Sequence, residues 1–292
     1  MRFILIALTF LIHSKIMAND LYSTNNHNGK SCDYLSIELK KLFRKNTKNP
    51  ILFFVHGRGK HPEKGLDYLP EFEQRYGLDI LMFHWDSWIN AVSRPEQNAI
   101  DAASRLAHCF EEIQEFKDEY PSLFKKRPVH FMAHSMGNIV FKSLIENHQF
   151  EAKKFLFESV TLNASDVPYD EHKKWIEKIK LAPNIYITFN SNDAVLIGSK
   201  FIDYKDGDFF SGRRLGRSNT SQIDRRELAK NAYYLDFSQL TFGGHQHFLD
   251  DGKNSKAPLT SIFQDIFHGA QSFQAEFSRN SKNGILEFTK KK

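Results

Sequence analysis

The sequence is poor in several residue types. Of 292 residues only two are cysteine, nine proline and fifteen glycine. So little proline and glycine excludes a collagen-like or linker-dominated chain. Two cysteines cannot staple a disulfide-dense scaffold, and Cys32 and Cys109 lack the spacing of a zinc site. Beyond residues 3–12 there is no long apolar run, which excludes a multi-spanning membrane protein. Neither sign of charge dominates. Lys+Arg 40 stand against Asp+Glu 35, and the two are interspersed. That excess gives no case for nucleic acid or an anionic membrane as partner. Phenylalanine, by contrast, is plentiful: 27 residues in a chain that is 41% hydrophobic and 26% charged. Such a composition is globular, and the phenylalanines read first as core.

Residues 1–18, MRFILIALTFLIHSKIMA, have the layout of a signal peptide. Arg2 is a short positive region, Phe3–Ile12 an apolar stretch, and Ala18 a small residue before the break. The stretch is too short to span a bilayer comfortably, although an uncleaved anchor is the alternative. The chain is therefore expected to be exported, to the periplasm or beyond. In an oxidising compartment Cys32 and Cys109 either pair or remain two unrelated thiols; spacing does not decide between them.

Residues 19–49, rich in Asn, Ser, Lys and Thr, read as a mobile N-terminal lead-in with a short helix at Tyr34–Phe43. From residue 50 short apolar runs alternate with helical periodicity. Ile51–Val55, residues 78–85, Val129–Ala133, Phe155–Leu162, Asn184–Phe189 and Tyr233–Phe237 read as strands. A helix capped by Ser93, with Glu96 as its capping-box partner, precedes the third of them. Further helices are expected at 136–147, 169–181 and 258–277. This alternation predicts an α/β fold, a mostly parallel sheet flanked by helices, over residues 50–278. Residues 196–230 fall outside it and read as a loop insertion, either a disordered one or a lid carrying Phe209 and Phe210. Residues 279–292 read as a basic tail.

The sharpest motif is Ala133-His134-Ser135-Met136-Gly137, set between an apolar strand and a periodic helix. A nucleophile elbow, G-x-S-x-G, needs that setting, because the tight turn lifts a serine hydroxyl clear of the sheet. Ala133 replaces the first glycine. The plainer reading is a serine that caps a helix. The rest of a hydrolytic site follows in chain order. Met136 and Arg58, in His56-Gly57-Arg58, are candidate backbone N–H donors for an oxyanion. Asp193, after the strand 184–189, is the preferred acid, with Asp166 its rival. His245 is the preferred base, with His247 its rival. His84, His130 and His134 read as packed side chains. No HExxH or G-x-G-x-x-G pattern points to a metal or a nucleotide cofactor.

These residues resemble the α/β-hydrolase superfamily, and more narrowly a lipase-like, largely uncharacterised bacterial branch with an AHSMG elbow. The likeness rests on FFVHGRG at 53–59, Trp85-Asp86-Ser87, AHSMGN at 133–138, LNASDVP at 162–168, SNDAVL at 191–196, RRLGRS at 213–218 and GGHQHFL at 243–249. It implies Ser135 as nucleophile, His245 as base, Asp193 as acid, oxyanion N–H groups from Arg58 and Met136, and no cofactor. It also implies Trp85 near the mouth of the site. The expected activity is cleavage of a small-molecule or lipid carboxylic ester through an acyl-enzyme. An acyltransferase using the same groups, or a binding protein that kept the fold without catalysis, are the alternatives.

Overall fold

The computed structural model describes residues 19–288, apart from 46, 60–64, 206–211, 242, 250–258, 270–276, 281 and 283. Residues 1–18, read above as a signal peptide, Phe209, Phe210 and the last four residues lie outside the described residues.

Six strands carry the expected apolar runs: β3 (Ile51–Val55), β4 (Asp79–Phe83), β5 (Val129–His134), β6 (Ser159–Asn163), β7 (Asn184–Phe189) and β8 (Tyr233–Asp236). They pair parallel in the order β4-β3-β5-β6-β7-β8. Side chains of a strand alternate between faces, so β3 feeds two cores. Ile51, Phe53 and Val55 join one cluster, and Leu52 and Phe54 the other. The first cluster is covered by α1 (Leu35–Arg44), α3 (Glu96–Glu119), α4 (Pro121–Lys126), α5 (Gly137–Glu146) and α6 (His172–Ile176). The second is covered by α2 (Leu69–Tyr76) and α8 (Leu259–His268). Phenylalanine fills both. Phe110 packs against Phe53, Phe131, Phe141 and Phe157 on one side, and Phe72 stacks on Phe248 at 4.5 Å on the other.

Both ends of the chain extend the sheet, which corrects two expectations. Residues 19–49 form β1 (Leu21–Ser23) and β2 (Asn26–Lys30) as well as α1, not a mobile lead-in. Leu21 and Tyr22 are buried against Phe83 and Met82 of β4, so the segment is held by its few apolar residues. At the other end the closing helix stops at His268. Phe277–Arg279 is strand β9, with Phe277 buried and its two neighbours exposed. It pairs antiparallel with β10 (Leu286–Phe288), which runs parallel to β8. Arg279 and Leu286–Phe288 of the supposed tail therefore belong to a sheet that has ten strands among the described residues.

The segment 196–230 is also more ordered than its composition suggests. Helix α7 (Ala194–Lys205) opens it, and three single-turn 3-10 helices follow at 215–217, 220–222 and 225–227. Leu215, Ile223 and Leu228 are buried. Side-chain caps replace amphipathic periodicity: Asn219 accepts from the Ser221 N–H, and Asp224 from the Arg226 N–H. The start of α3 differs as well. Ser93 does not cap it; Pro95 occupies the cap position and Glu96 is the first helical residue.

Cys32 and Cys109 are disulfide-bonded, joining the 3-10 turn before α1 to the buried face of α3 across 77 residues. Closing a loop of that length removes unfolded-state entropy worth about 4 kcal/mol. Replacing both cysteines by serine is expected to lower the melting temperature by about 10 °C. An unchanged melting temperature, with the bond verified in the parent, would contradict this.

Candidate active site

Strand β5 ends at His134 and α5 begins at Gly137, so Ser135 and Met136 make the whole turn. Ser135 has φ 53°, in the left-handed region that non-glycine residues rarely adopt. The strain is held in place. The Ser135 N–H donates to the Asn163 carbonyl at 3.0 Å, and its carbonyl accepts from the Asn138 and Asp166 N–H groups at 3.1 and 3.2 Å. The Asn138 amide adds bonds to the Ala133 and Ser135 carbonyls. The turn is crowded enough to require its glycines. A Cβ on Gly137 would lie 2.6 Å from the His56 carbonyl, and one on Gly57 would lie 2.7 Å from the Ser135 Cβ. Gly57 thus brings the loop after β3 directly onto the serine.

That loop is braced from beneath. Trp85 donates its indole N–H to the His56 carbonyl at 2.9 Å, and Ser87 Oγ donates to the Gly59 carbonyl at 2.9 Å while accepting from its N–H. His56 Nδ1 lies 2.7 Å from the Gly57 carbonyl, and its Nε2 lies 2.9 Å from His84 Nδ1. Burial, then the neighbouring His84, hold His56 down at about 3, so it is neutral. Trp85 is fully buried, so it supports the loop and does not stand at the mouth of the site. Trp88 takes that place, with the Arg58 guanidinium 4.9 Å over its ring. Among the described residues, neither the Arg58 nor the Met136 N–H donates to another backbone group. Both remain available as the paired donors an oxyanion needs.

Asp193 and His245, the candidate acid and base, meet across two loops. Asp193 follows β7 and is completely buried. Its Oδ1 accepts from the Val195 and Leu196 N–H groups at 3.0 and 2.9 Å, where α7 begins. Its Oδ2 lies 2.7 Å from His245 Nδ1. Two backbone donors and the imidazole fix the orientation of this carboxylate. The loop carrying His245 is tied to the same region by the Asn190 amide, which donates to the Gly244 carbonyl at 3.2 Å.

Ser135 and His245 line one cavity of about 660 Å³, together with Arg58, Tyr68, Trp88 and Val195 among others. Among the described residues no hydrogen bond joins the Ser135 hydroxyl to His245, although both face the same cavity.

The two rival residues are committed elsewhere. Asp166 accepts from Ser199 Oγ at 2.9 Å and sits between Arg94 and Arg214 at 3.3 and 3.1 Å. It belongs to a buried ion cluster, and among the described residues no contact joins it to His245. His247 is fully buried, its Nδ1 3.0 Å from Thr188 Oγ1 and 3.2 Å from the Asn163 amide. Asn163 Oδ1 in turn lies 2.9 Å from His134 Nδ1, and the His134 ring packs 4.8 Å from that of His245. A polar ladder, His134–Asn163–Thr188–His247, therefore underlies the site. The sequence reading did not assign it. Asn163, inside LNASD, was its one visible signal.

A family model described as "Alpha/beta hydrolase of unknown function (DUF900)" matches residues 33–262. Among curated proteins none matches the chain. Solved structures with a similar fold include the apo form of Thermogutta terrifontis esterase 2, at 12% identity and TM-score 0.34, covering 78% of this chain and 83% of that one. Dienelactone hydrolase from Anabaena variabilis aligns at 13% identity and TM-score 0.38, covering 77% and 88%. An uncharacterised protein from Bacillus cereus aligns at 11% and 0.37, covering 81% and 67%. Likenesses this distant carry no argument.

Proposed function

Because the chain belongs to that alpha/beta-hydrolase family of unknown function, we propose that it is a serine hydrolase cleaving a carboxylic ester. The observation that carries the proposal is the strained Ser135 turn opening on the cavity that the Asp193-bound His245 also lines. In this reading Ser135 Oγ attacks the ester carbonyl carbon while His245 Nε2 takes the hydroxyl proton. Asp193 fixes the Nδ1–H tautomer and stabilises the imidazolium. The Arg58 and Met136 N–H groups bind the oxyanion. Collapse of the intermediate expels the alcohol, which receives the proton from His245. Water then repeats the sequence on the acyl-enzyme and releases the acid. No cofactor enters.

Buried, neutral His134 suits this scheme. Burial first, then His245, drive it well below its ordinary value, so no second imidazolium opposes the one that forms on His245. We further propose that the protein works outside the reducing cytoplasm, which the leader and the Cys32–Cys109 bond both support. The test is a panel of p-nitrophenyl esters of increasing acyl length beside a p-nitroanilide. Ester turnover with an initial burst of one p-nitrophenol per protein is expected at short acyl lengths. Absence of turnover across the panel would count against ester hydrolysis.

A further inference from the structure

A second cavity, of about 840 Å³, lies at the other end of the parallel strands. Pro183 just before β7, Tyr233 at the start of β8 and Leu286 at the start of β10 line it. Ser135, Asp193 and His245 follow the ends of β5, β7 and β8, and these strands are parallel. The two cavities therefore lie at opposite ends of the parallel strands.

The charge of this second cavity is one-sided. Lys173, Arg225, Arg226, Lys230 and Arg279 line it, and among the described residues no acidic one does. The nearby carboxylates are engaged. Asp224 is bound by the Arg226 guanidinium at 2.6 Å, Glu177 accepts from the Lys230 N–H and lies 4.0 Å from Lys173 Nζ, and Glu227 accepts from Tyr169. Among the described residues the side chains of Arg225 and Lys230 meet no acceptor.

The walls are fixed. Lys173 Nζ donates to the Arg226 carbonyl at 2.9 Å, the Asn231 amide to the Ile176 carbonyl at 2.9 Å, and Arg279 Nη1 to the Gly284 carbonyl at 3.1 Å. The floor is apolar: Pro183, Leu228, Tyr233 and Leu286. A concave surface lined by one sign of charge concentrates counter-ions. Guanidinium groups favour phosphate oxygens in particular. The apolar floor favours a ligand with a hydrocarbon or ring portion.

We propose that this cavity is a second binding site, separate from the hydrolytic one, for a molecule bearing a phosphate or pyrophosphate group on an apolar body. Two probes separate the sources of such a group. Inorganic pyrophosphate, by titration calorimetry, reports a free phosphorylated ligand. Flotation with phosphatidylcholine vesicles containing phosphatidic acid reports a lipid headgroup. The variant is Arg225→Glu with Lys230→Glu, both exposed. Its control is Lys153→Glu with Lys154→Glu, equally exposed and of the same charge change. Urea midpoints check that all three proteins are folded. The expected result is binding of at least one probe, weakened about tenfold or more by the first pair and little by the second. A response to neither probe, or an equal loss in both variants, would overturn the proposal.

Discussion

Ser135→Ala is expected to lower kcat/KM on a short p-nitrophenyl ester by about 10⁴- to 10⁶-fold while leaving stability within about 0.5 kcal/mol. The two numbers separate a nucleophile from a structural serine. The Ser135 N–H and carbonyl hold the turn, and both survive in alanine. Among the described residues the hydroxyl has no protein partner to lose. Asp193→Asn tests the other half of the site. It keeps one acceptor for the α7 N–H groups but inverts the preferred tautomer of His245, at a cost of about 10⁴-fold in kcat. Asp166→Asn breaks a buried ion cluster instead, so its main effect is on folding. An Asp166 variant that is inactive yet as stable as the parent would move the acid to that residue.

The second large effect concerns acid. His56 and His130 are held at about 3 and His247 at about 4, with His134 also well below its ordinary value; burial is the leading cause in each. The sign follows from proton uptake. An unfolded chain protonates these imidazoles as pH falls through about 6.5, whereas the folded chain resists until about 4 and below. Their contribution is therefore complete above pH 6.5 and is lost on acidification. Each histidine contributes a slope of about 1.4 kcal/mol per pH unit in that window, so four together give about 5.5 kcal/mol per unit. Asp20 and Glu73 offset part of this, because burial raises their carboxyl values and the folded state then takes up protons too. Against a typical stability of about 5–15 kcal/mol, unfolding is expected between about pH 4 and 5. Urea midpoints at pH 7.5, 6.5 and 5.5 check it. A flat profile would contradict it, and His247→Gln should flatten the slope by about a quarter.

The central sheet was legible because its strands are buried on both faces and stand out as continuous apolar runs. The elbow was legible because backbone geometry restricts which residues fit, as the crowding at Gly57 and Gly137 bears out. The edges of the sheet were not. β1, β2, β9 and β10 are only three to five residues long, so they carry little periodic signal. The region 196–230 misled for a similar reason, since its order comes from single caps and the Arg214–Asp166 contact. Choosing between Asp193 and Asp166 required knowing which carboxylate the arginines occupy, and two arginines far apart in sequence decide that only in the folded chain. The His134–Asn163–Thr188–His247 ladder joins four strand or loop residues whose proximity no spacing rule exposes.

The proposed hydrolysis requires an activated Ser135. Intact-protein and peptide mass spectrometry after exposure to a fluorophosphonate tests that directly. The predicted result is one phosphonyl adduct per chain, with fluoride lost, located on Ser135 and absent from Ser135→Ala. His245→Ala should slow its formation by about 10³-fold or more. An unmodified, folded parent protein, or an adduct on another residue, would contradict the assignment.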